Sequence, residues 1–417
     1  MDPDDIGIGD VFAARERLAG VIRPTPCRLS DAISRIAGRP VVLKPEHIQR
    51  AGSFKIRGAY NCISQLPPGV DVVAASAGNH AQGVALASAL TGRKSTIFMP
   101  DNASLPKIKA TEDYGATVVL GGATLDDCLA LALERASETG AVFVPPFDDP
   151  MVIAGQGTVG LEIAEELQFV DWNGGLKGDA AVPSEPPIVL IPVGGGGLIA
   201  GAALALAHAR PDITVIGVEA EGAASMRRSI EAGHLTRLDA VSTMADGIAL
   251  RAPSALTLAC TMRYVRDVIT VSEEEISQAV LLLLERAKAV VEPSGAVGLA
   301  AVMAGKVPGD GPVVIVLSGG NVDPLLLTTI VQHGLSAAGR YLRLRVVFRD
   351  RPGSLAALTA GVAQLGLNVL DVEHHRTGVK VGVDEVEVLL TVETRNPGHS
   401  RDVLDALTAE GFTVSLV

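Results

Sequence analysis

The chain has 417 residues, of which 48% are hydrophobic, and its formal net charge at pH 7 is -12. This length suggests two or three globular units with ample apolar material for buried cores. The acidic balance and an aromatic content of only 3% exclude the basic stripes and stacking surfaces with which proteins bind nucleic acids.

The start of the chain, MDPDDIGIGD, is acidic and lacks an apolar core, so we expect no secretory signal. Four cysteines, Cys27, Cys62, Cys128 and Cys260, lie far apart and show no CxxC spacing. This usage argues against zinc and dithiol motifs, and it favours reduced thiols in a cytoplasmic protein.

Short β-branched runs alternate with alanine- and leucine-rich stretches from about residue 40 to residue 335. The predicted strands are PVVLK, VDVVAAS, KSTIFMP, ATVVLGG, PPIVLIPV, ITVIGVEA and PVVIVLSGG. Stretches such as NHAQGVALASALTG and TLDDCLALALERASETG are typical of the intervening helices. This alternation predicts βαβ units on a mostly parallel, doubly wound sheet, where ligands bind at the carboxyl ends of strands.

Two stretches of this region need separate interpretation. The run Pro186 to Ala209 carries no formal charge and is long enough to span a bilayer, but its internal proline and four consecutive glycines favour a buried βα unit. The segment FVDWNGGLKGDAAVPSEP, residues 169–186, is rich in glycine, proline and charge and predicts a surface loop.

The turn VGGGGLIAG follows a predicted strand and opens a helix. Its glycines free backbone N–H groups to converge on a ligand, and the helix N-terminus adds positive potential, so the turn suits a phosphate. Gly195, Gly197 and Ala200 also match the G-x-G-x-x-A form, with Glu219 ending the next strand. A nicotinamide-dependent oxidoreductase is therefore an alternative at this point.

Three further segments are ordinary when each is taken alone. In ASAGNHAQG, Asn79 is placed to cap the following helix, and backbone N–H groups there could hold a carboxylate. In LSGGN, Ser318 ends an apolar strand and offers one neutral hydrogen bond. In AGSFKIRGA, Lys55 follows a predicted strand, and a lone lysine is usually a solvated one.

Together, four motifs resemble the threonine ammonia-lyases (threonine dehydratases), within the tryptophan-synthase-β-like class of pyridoxal-phosphate enzymes. The motifs are Ser53-Phe54-Lys55, Ser76 to His80, Gly194 to Gly197, and Ser318 to Asn321. The resemblance implies a catalytic domain over residues 1–335 with the type II fold of pyridoxal-phosphate enzymes, an α/β fold built as two doubly wound lobes.

The resemblance also implies a role for each motif residue. Lys55 would form the internal Schiff base with pyridoxal 5'-phosphate and remove the Cα proton of the substrate. Phe54 would pack beside the cofactor, Asn79 would bond its phenolic oxygen, and Ser318 would face its pyridine nitrogen. The residues implied for the phosphate are Gly194, Gly195, Gly196, Gly197 and Leu198. Those implied for the substrate carboxylate are Ser76, Ala77, Gly78, Asn79 and His80.

The implied reaction converts L-threonine to 2-oxobutanoate and ammonia, or L-serine to pyruvate. Serine racemases of the same class carry a serine where this chain has Ala77, which favours elimination, although a serine dehydratase or racemase remains the alternative. Those relatives also bind a divalent ion through two acids, of which only Glu219 is present here, with Ser225 at the second position. We therefore expect no metal.

The composition changes at residues 333–340, after which the segments RYLRLRVVFRD, PGSLAALTAGVAQLG, LNVLDVEHHR, DEVEVLLTVETR, HSRDVLDALTAEG and FTVSLV follow in the order βαββαβ. This order predicts a small ferredoxin-like domain over residues 340–417. Its first segments resemble an ACT regulatory domain, which implies an amino-acid effector such as isoleucine or valine near Gly353 and Asn368. The relatives imply a homotetramer, and a non-enzymatic amino-acid sensor is a further alternative.

Overall fold

The computed structural model describes residues 5–170, 172, 185–337, 339–376 and 382–417. The chain forms two compact units, Met1–Leu326 and Leu327–Val417. This division falls inside a helix, Pro324–Ala337, so the domain limits of 335 and 340 stay a prediction. Most of the surface loop predicted for residues 169–186 lies outside the described residues.

The first unit contains a larger sheet whose central strands are buried. In sheet order, with strands numbered along the chain, these are β1 (Arg28–Leu29), β2 (Val41–Lys44), β10 (Val313–Val316), β7 (Ile188–Pro192), β8 (Thr214–Ala220) and β9 (Asp267–Val271). Neighbouring strands run parallel, except that β1 is antiparallel to β2. Every residue of β2 and β10 is buried, as expected when helices cover both faces of a parallel sheet.

A smaller sheet in the same unit is parallel throughout. Its order is β5 (Thr117–Leu120), β4 (Ser95–Met99), β3 (Val72–Ala75) and β6 (Val142–Phe143). Two sheets within one unit, one parallel throughout and the other parallel except for β1, confirm the predicted fold of two doubly wound lobes.

Helices alternate with these strands along the chain. They are α1 (Ile8–Leu18), α2 (Asp31–Ala37), α3 (Lys55–Ile63), α4 (Asn79–Leu90), α5 (Leu105–Asp113), α6 (Leu125–Thr139), α7 (Pro150–Glu166), α8 (Gly197–Ala209), α9 (Ser225–Ala232), α10 (Ala255–Tyr264), α11 (Glu273–Leu282), α12 (Pro293–Met303) and α13 (Pro324–Ala337). Each of the seven predicted strands is present. Three short strands, β1, β6 and β9, were not predicted.

The uncharged run from Pro186 to Ala209 folds as β7 followed by α8, as the βα interpretation predicts. Helix α8 is buried over most of its length and packs on α7 with almost no space between the backbones. A Cβ atom on Gly201 would lie 2.2 Å from the carbonyl oxygen of Ile153, and one on Gly160 would lie 2.4 Å from that of Ala202. Among the described residues, no helix is both long enough and apolar enough to cross a membrane.

A buried cluster of charges lies under α3. The guanidinium of Arg57, which is fully buried, donates to Glu46 at 2.7 and 2.8 Å and to Glu162 at 2.6 and 2.9 Å. Lys44, also fully buried, donates to Glu162 at 2.6 Å and to Glu166 at 2.9 Å. The cluster therefore fastens α3, which begins at Lys55, to both α7 and the segment that follows β2.

The second unit has the predicted βαββαβ order. Its elements are β11 (Tyr341–Arg349), α14 (Ser354–Gln364), β12 (Val369–His375), β13 (Glu385–Glu393), α15 (Pro397–Ala409) and β14 (Thr413–Leu416). The strands form one antiparallel sheet in the order β12-β13-β11-β14. Alternate residues of β13, from Val386 to Val392, are buried, which is the period that the sequence pattern predicts for a sheet with one covered face.

Candidate active site

A cavity of about 360 Å³ opens in the first unit where three strands end. Its walls include the turns that follow β3, β7 and β10, together with the start of α3. The residues that the sequence singled out for catalysis and for cofactor and substrate binding all line it: Phe54, Lys55, Ser76, Ala77, Gly78, Asn79, His80, Gly194, Gly195, Gly196, Gly197, Leu198 and Ser318. Segments more than 260 residues apart in the chain thus meet in one cavity, at the strand ends where a parallel sheet binds its ligands.

The turn that carries Lys55 is fixed to the turn that carries Ser318. The backbone N–H of Phe54 donates to the carbonyl oxygen of Ser318 at 3.1 Å, and Ser53 forms an isolated antiparallel bridge with Gly319. Just before this contact, Ala51 has a φ of 59°, a left-handed conformation that non-glycine residues seldom adopt. The chain therefore bends sharply to bring α3 and its first residue, Lys55, against the end of β10.

Lys55 is half-buried at the cavity wall. Its Nζ donates to the carbonyl oxygen of Pro146 at 2.8 Å and lies 5.3 Å from the centroid of the Phe54 ring. Burial lowers the pKa of Lys55 to about 8, although the carboxylate of Glu292 opposes the shift. A far larger fraction of the amine is neutral near pH 7 than in a solvated lysine, and only the neutral amine is a nucleophile or a base.

The four glycines from Gly194 to Gly197 lead from β7 into α8 and form a turn that leaves no room for side chains. A Cβ atom on Gly195 would lie 2.2 Å from Cδ1 of Phe147, and Gly196 has a φ of 90°. The carbonyl oxygen of Gly195 accepts a hydrogen bond of 2.7 Å from the Thr257 hydroxyl, which fixes the turn from behind. Since α8 begins at Gly197, the N–H groups of its first turn have no partner within the helix, and Gly197 and Leu198 line the cavity. Such a helix start suits an anion such as a phosphate.

The turn after β3 differs from the prediction in one respect. Asn79 does not cap α4, because the capping position is Gly78 and the helix has no side-chain cap. The Asn79 side chain instead donates from Nδ2 to Oε1 of Glu292 at 2.7 Å and accepts at Oδ1 from Nδ2 of Asn321 at 2.7 Å. A capping asparagine would turn back towards its own helix, whereas this one reaches two segments distant in the chain.

His80 lines the cavity but its ring is committed to the protein. Its Nε2 lies 2.9 Å from the carbonyl oxygen of Val144, and because a carbonyl only accepts, Nε2 carries the proton. Burial, and next the nearby Lys55, lower the pKa of His80 to about 3. The imidazole is therefore neutral, and it is packed, as we expect for a histidine without a catalytic partner.

Glu292 is a residue of the cavity wall that the sequence analysis missed. It is 3% exposed and precedes Pro293, the first residue of α12, yet its side chain makes no capping hydrogen bond to that helix. Burial raises the pKa of Glu292 to about 7, and the nearby Asp246 adds to the rise. The only signal in the sequence is its position, because an acid directly before the uncharged, mostly apolar segment PSGAVGLAAVM has little solvent to face.

Glu219 does not serve as the acid of a dinucleotide site. Its carboxylate is fully buried and accepts hydrogen bonds from the backbone N–H groups of Met226 at 2.8 Å and Arg227 at 2.9 Å. These donors lie in the first turn of α9, so the carboxylate is used to satisfy that helix end. The buried carboxylate of Glu219 cannot reach a ribose. The alternative of a nicotinamide-dependent oxidoreductase therefore lacks the acidic residue that it requires.

In the second unit, the two predicted effector residues lie in separate turns. Gly353 is the capping residue of α14 and has a φ of 93°. Asn368 precedes β12, and its carbonyl oxygen accepts from the N–H of Glu393 at 3.0 Å. Gly353 thus lies just before a helix, and Asn368 lies just before a strand of the sheet.

Comparison with known proteins agrees with this geometry. Residues 18–319 match the family model described as pyridoxal-phosphate dependent enzyme, and residues 342–412 match that of the ACT domain. The chain is 43% identical to an L-threonine ammonia-lyase of Thermotoga maritima, over 99% of this chain and 100% of that protein. It is 41% identical to an L-threonine ammonia-lyase of Geobacter sulfurreducens, over 97% of this chain and 98% of that protein.

Two solved structures resemble the chain over more than three quarters of its length. A threonine deaminase of Solanum lycopersicum, the processed form of isoform 2, has a TM-score of 0.69 and 37% identity, covering 80% of this chain and 87% of its own. A maize serine racemase has a TM-score of 0.71 and 34% identity, covering 79% of this chain and 98% of its own.

Proposed function

This chain belongs to the family of pyridoxal-phosphate dependent enzymes, and on that premise we propose that it is an L-threonine ammonia-lyase. The net reaction converts L-threonine to 2-oxobutanoate and ammonia, because the water lost from the β-carbon is regained when the product is hydrolysed. L-Serine would give pyruvate by the same steps. The observation that carries the proposal is the cavity in which the desolvated amine of Lys55 meets the glycine turn of α8.

The residues of the cavity fit pyridoxal 5'-phosphate. The crowded turn Gly194 to Gly197, with Leu198, offers backbone donors for a phosphate, and any Cβ on Gly195 would displace Phe147. Lys55 offers an amine that is partly neutral, Asn79 an amide, and Ser318 a hydroxyl that is 4% exposed. When bound, the cofactor supplies the electron-withdrawing system that makes the substrate Cα proton acidic.

Lys55 has two tasks in this proposal, since it holds the cofactor at rest and acts as the base during the reaction. Its lowered pKa suits the second task, because a base is most effective when its pKa is near the working pH. Ser318 lines the cavity and would offer the cofactor's ring nitrogen a neutral hydrogen bond in place of a charge, so that the ring would draw in less negative charge. This arrangement favours loss of the β-hydroxyl over transfer of the amino group.

The turn from Ser76 to His80 is proposed to bind the substrate carboxylate with its backbone N–H groups. His80 contributes no charge, because its ring is neutral and its Nε2 is bonded to Val144. Ser76 accepts from the N–H of Gly78 at 3.2 Å, which shapes the turn. The carboxylate is therefore held by neutral donors at the start of α4.

Ala77 is the observation that favours a lyase over a racemase. It lines the cavity at the position where serine racemases carry a serine, and a methyl group has no proton to return to Cα. Serine dehydration or racemisation stays the second candidate, and a chiral assay for D-serine separates racemisation from elimination.

We also propose that the ACT domain, residues 342–412, binds a branched-chain amino acid near Gly353 and Asn368 and so regulates the enzyme. Coupling requires an effector that binds two states of the enzyme with different affinity. The homotetramer remains a prediction from the resemblance, and the cytoplasmic location remains a prediction from the cysteine usage and the acidic start of the chain. Light scattering of the purified chain tests the assembly.

One experiment tests the central proposal. The purified full chain is loaded with pyridoxal 5'-phosphate, its visible spectrum is recorded, and oxoacid release is measured with L-threonine and L-serine. We expect a coloured protein that forms 2-oxobutanoate. A colourless protein that releases no oxoacid would contradict the proposed function.

A further inference from the structure

We propose that Glu292 and Asn321 are positioning residues that fix the side-chain amide of Asn79 so that one of its N–H groups is directed into the cavity towards the cofactor. The inference rests on the proposed function, since it concerns how this chain prepares its cofactor site. It extends that function to Glu292, which precedes α12, and to Asn321, in the turn after β10. The sequence analysis assigned neither residue a role of its own.

The arrangement begins at a backbone atom whose hydrogen-bonding direction is unambiguous. The carbonyl oxygen of Ala51 can only accept, and it lies 2.8 Å from Nδ2 of Asn321. The same Nδ2 lies 2.7 Å from Oδ1 of Asn79. An NH₂ group has two hydrogens, so both hydrogens of Asn321 are used, and its amide has a single possible orientation.

The orientation of Asn321 determines that of Asn79. With Oδ1 of Asn79 accepting from Asn321, the Nδ2 of Asn79 lies on the other side and donates to Oε1 of Glu292 at 2.7 Å. A reversed Asn79 amide would place two donors against each other on one side and two acceptors on the other. One hydrogen of Nδ2 is left, and Asn79 lines the cavity.

The side chain of Glu292 accepts from Asn79 and does not cap its own helix. A residue at the start of a helix commonly uses its side chain to accept from the first turn, but Glu292 makes no such bond to α12. Its own N–H donates to the carbonyl oxygen of Gly319 at 3.0 Å, which holds its backbone against the turn after β10. The carboxylate is thereby aimed away from its helix and towards Asn79.

The neighbouring glycines show how little space the arrangement leaves. A Cβ atom on Gly319 would lie 2.4 Å from Oε1 of Glu292 and 2.9 Å from Nδ2 of Asn79. A Cβ atom on Gly52 would lie 2.2 Å from Oδ1 of Asn321. Both ends of the hydrogen-bonded series therefore lie directly against a glycine, and any side chain at Gly52 or Gly319 would displace them.

The test compares variants that keep the acceptor with variants that remove it, all in the full-length protein. Glu292→Gln retains an oxygen that can accept from Asn79, whereas Glu292→Ala does not. Asn321→Asp cannot donate to Ala51 or to Asn79, and Asn321→Ala removes the side chain. Glu275→Ala is the matched control, because this glutamate accepts from Lys306 and from the N–H of Ser272 and does not line the cavity.

Two measurements are made on each variant: the dissociation constant of the apoenzyme for pyridoxal 5'-phosphate, and the absorption maximum of the loaded protein. Leaving a buried amide without its partner typically costs a factor of roughly ten to a hundred in affinity. We expect that loss, with a shifted absorption maximum, in Glu292→Ala, Asn321→Ala and Asn321→Asp. Glu292→Gln stays within about threefold of the wild type, and Glu275→Ala binds as the wild type does.

Wild-type affinity and spectrum in a folded Glu292→Ala would overturn the inference, as would a loss in Glu292→Gln equal to that in Glu292→Ala. If Glu292→Ala does not fold, the inference is judged on the two Asn321 variants. Wild-type affinity and spectrum in those variants would overturn it. A wild-type chain that binds no pyridoxal 5'-phosphate would refute the proposed function itself. A wild type that binds and reacts, with variants equal to it, would refute only the positioning role.

Discussion

The Nζ of Lys55 and the carbonyl oxygen of Pro146 lie 2.8 Å apart, which joins the first residue of α3 to the segment that follows β6. This hydrogen bond holds the amine at the cavity wall. A carbonyl accepts from the neutral amine as well as from the charged one, so the contact does not require a charge. The lysine is held in position while its lowered pKa gives it a far larger neutral fraction near pH 7 than a solvated lysine has.

Replacement of Lys55 tests whether this amine does the chemistry. Lys55→Ala and Lys55→Arg should both lower kcat by a factor of roughly a thousand or more, since general base and covalent attachment are lost together. Borohydride reduction followed by peptide mapping should place the pyridoxyl group on Lys55 in the wild type and nowhere in the variants. Attachment at another lysine would be inconsistent with the assignment.

The pH dependence of cofactor capture follows from the pKa of Lys55. The folded apoenzyme holds the amine protonated below pH 8 and neutral above it, because burial lowers the pKa to about 8. The rate of capture should therefore rise about tenfold for each pH unit below 8 and level off above it. Stopped-flow absorbance between pH 6 and pH 9.5 measures this profile.

Glu292→Gln serves as the internal check on that profile. The carboxylate of Glu292 favours the charged amine and so raises the pKa of Lys55. Its removal should move the midpoint of the profile to lower pH. A wild-type rate that still rises about tenfold per pH unit up to pH 9.5, as for a lysine with an ordinary pKa near 10.4, would show that the amine is solvated in solution.

The glycine turn can be probed with two glycines that share a backbone conformation and differ in surroundings. Gly196 has a φ of 90° and Gly92 a φ of 67°, but a Cβ on Gly196 would lie 2.7 Å from Met226 and 2.8 Å from Thr257, whereas Gly92 faces open space. Both alanine variants should lose about 1 kcal/mol of stability from the backbone. Only Gly196→Ala should also bind pyridoxal 5'-phosphate at least roughly tenfold more weakly.

A cofactor titration of both variants, with thermal melts alongside, separates the two effects. Equal affinity in Gly196→Ala and Gly92→Ala would mean that the turn does not hold the cofactor.

The charge cluster under α3 predicts a large stability effect for a residue two positions after Lys55. Arg57→Ala leaves the buried carboxylate of Glu46 without its cation and the half-buried Glu162 with Lys44 alone. Such a loss of a buried partner typically costs about 3–5 kcal/mol in the free energy of unfolding. The control is Arg15→Ala, which breaks the exposed pair with Glu165 and should cost less than about 1 kcal/mol. Urea denaturation measures both, and a small loss in Arg57→Ala would argue against a structural role for the cluster.

Regulation by the ACT domain is tested on the whole enzyme. Isoleucine or valine should change the dependence of rate on L-threonine concentration, and Asn368→Ala should weaken that response by roughly tenfold. Calorimetric titration of each amino acid into the wild type checks binding directly. If neither amino acid binds, the effector proposal fails while the catalytic one stands.

Much of the fold could be predicted from the chain because its signals are local. The apolar run PVVIVLSGG and the alternating pattern of β13 each predict which strand residues are buried. The glycine turn likewise predicts where a strand ends and a helix begins. Strand β9, by contrast, begins at Asp267 and includes polar residues, so its place at the sheet edge depends on the pairing with β8.

The candidate site was predicted only in part, for a physical reason. Lys55, the glycine turn and Ser318 lie in motifs that resemblance identifies, and the structure brings them together in one cavity. Glu292 was missed because its role depends on a contact with Asn79, 213 residues away, which no local pattern reports. The same contact explains why Asn79 was wrongly expected to cap α4.

The close packing of α7 on α8 has a consequence for the interpretation of mutations. Gly160 and Gly201 are outside the cavity lining, so a variant screen that ranks positions by proximity to substrate would score them as tolerant. Yet a methyl group at either position would push against a backbone carbonyl and displace α8, the helix whose first turn we propose to bind the cofactor phosphate. Inactivating variants should therefore include replacements of glycines in α7. We expect such variants to bind the cofactor poorly although every cavity residue is unchanged.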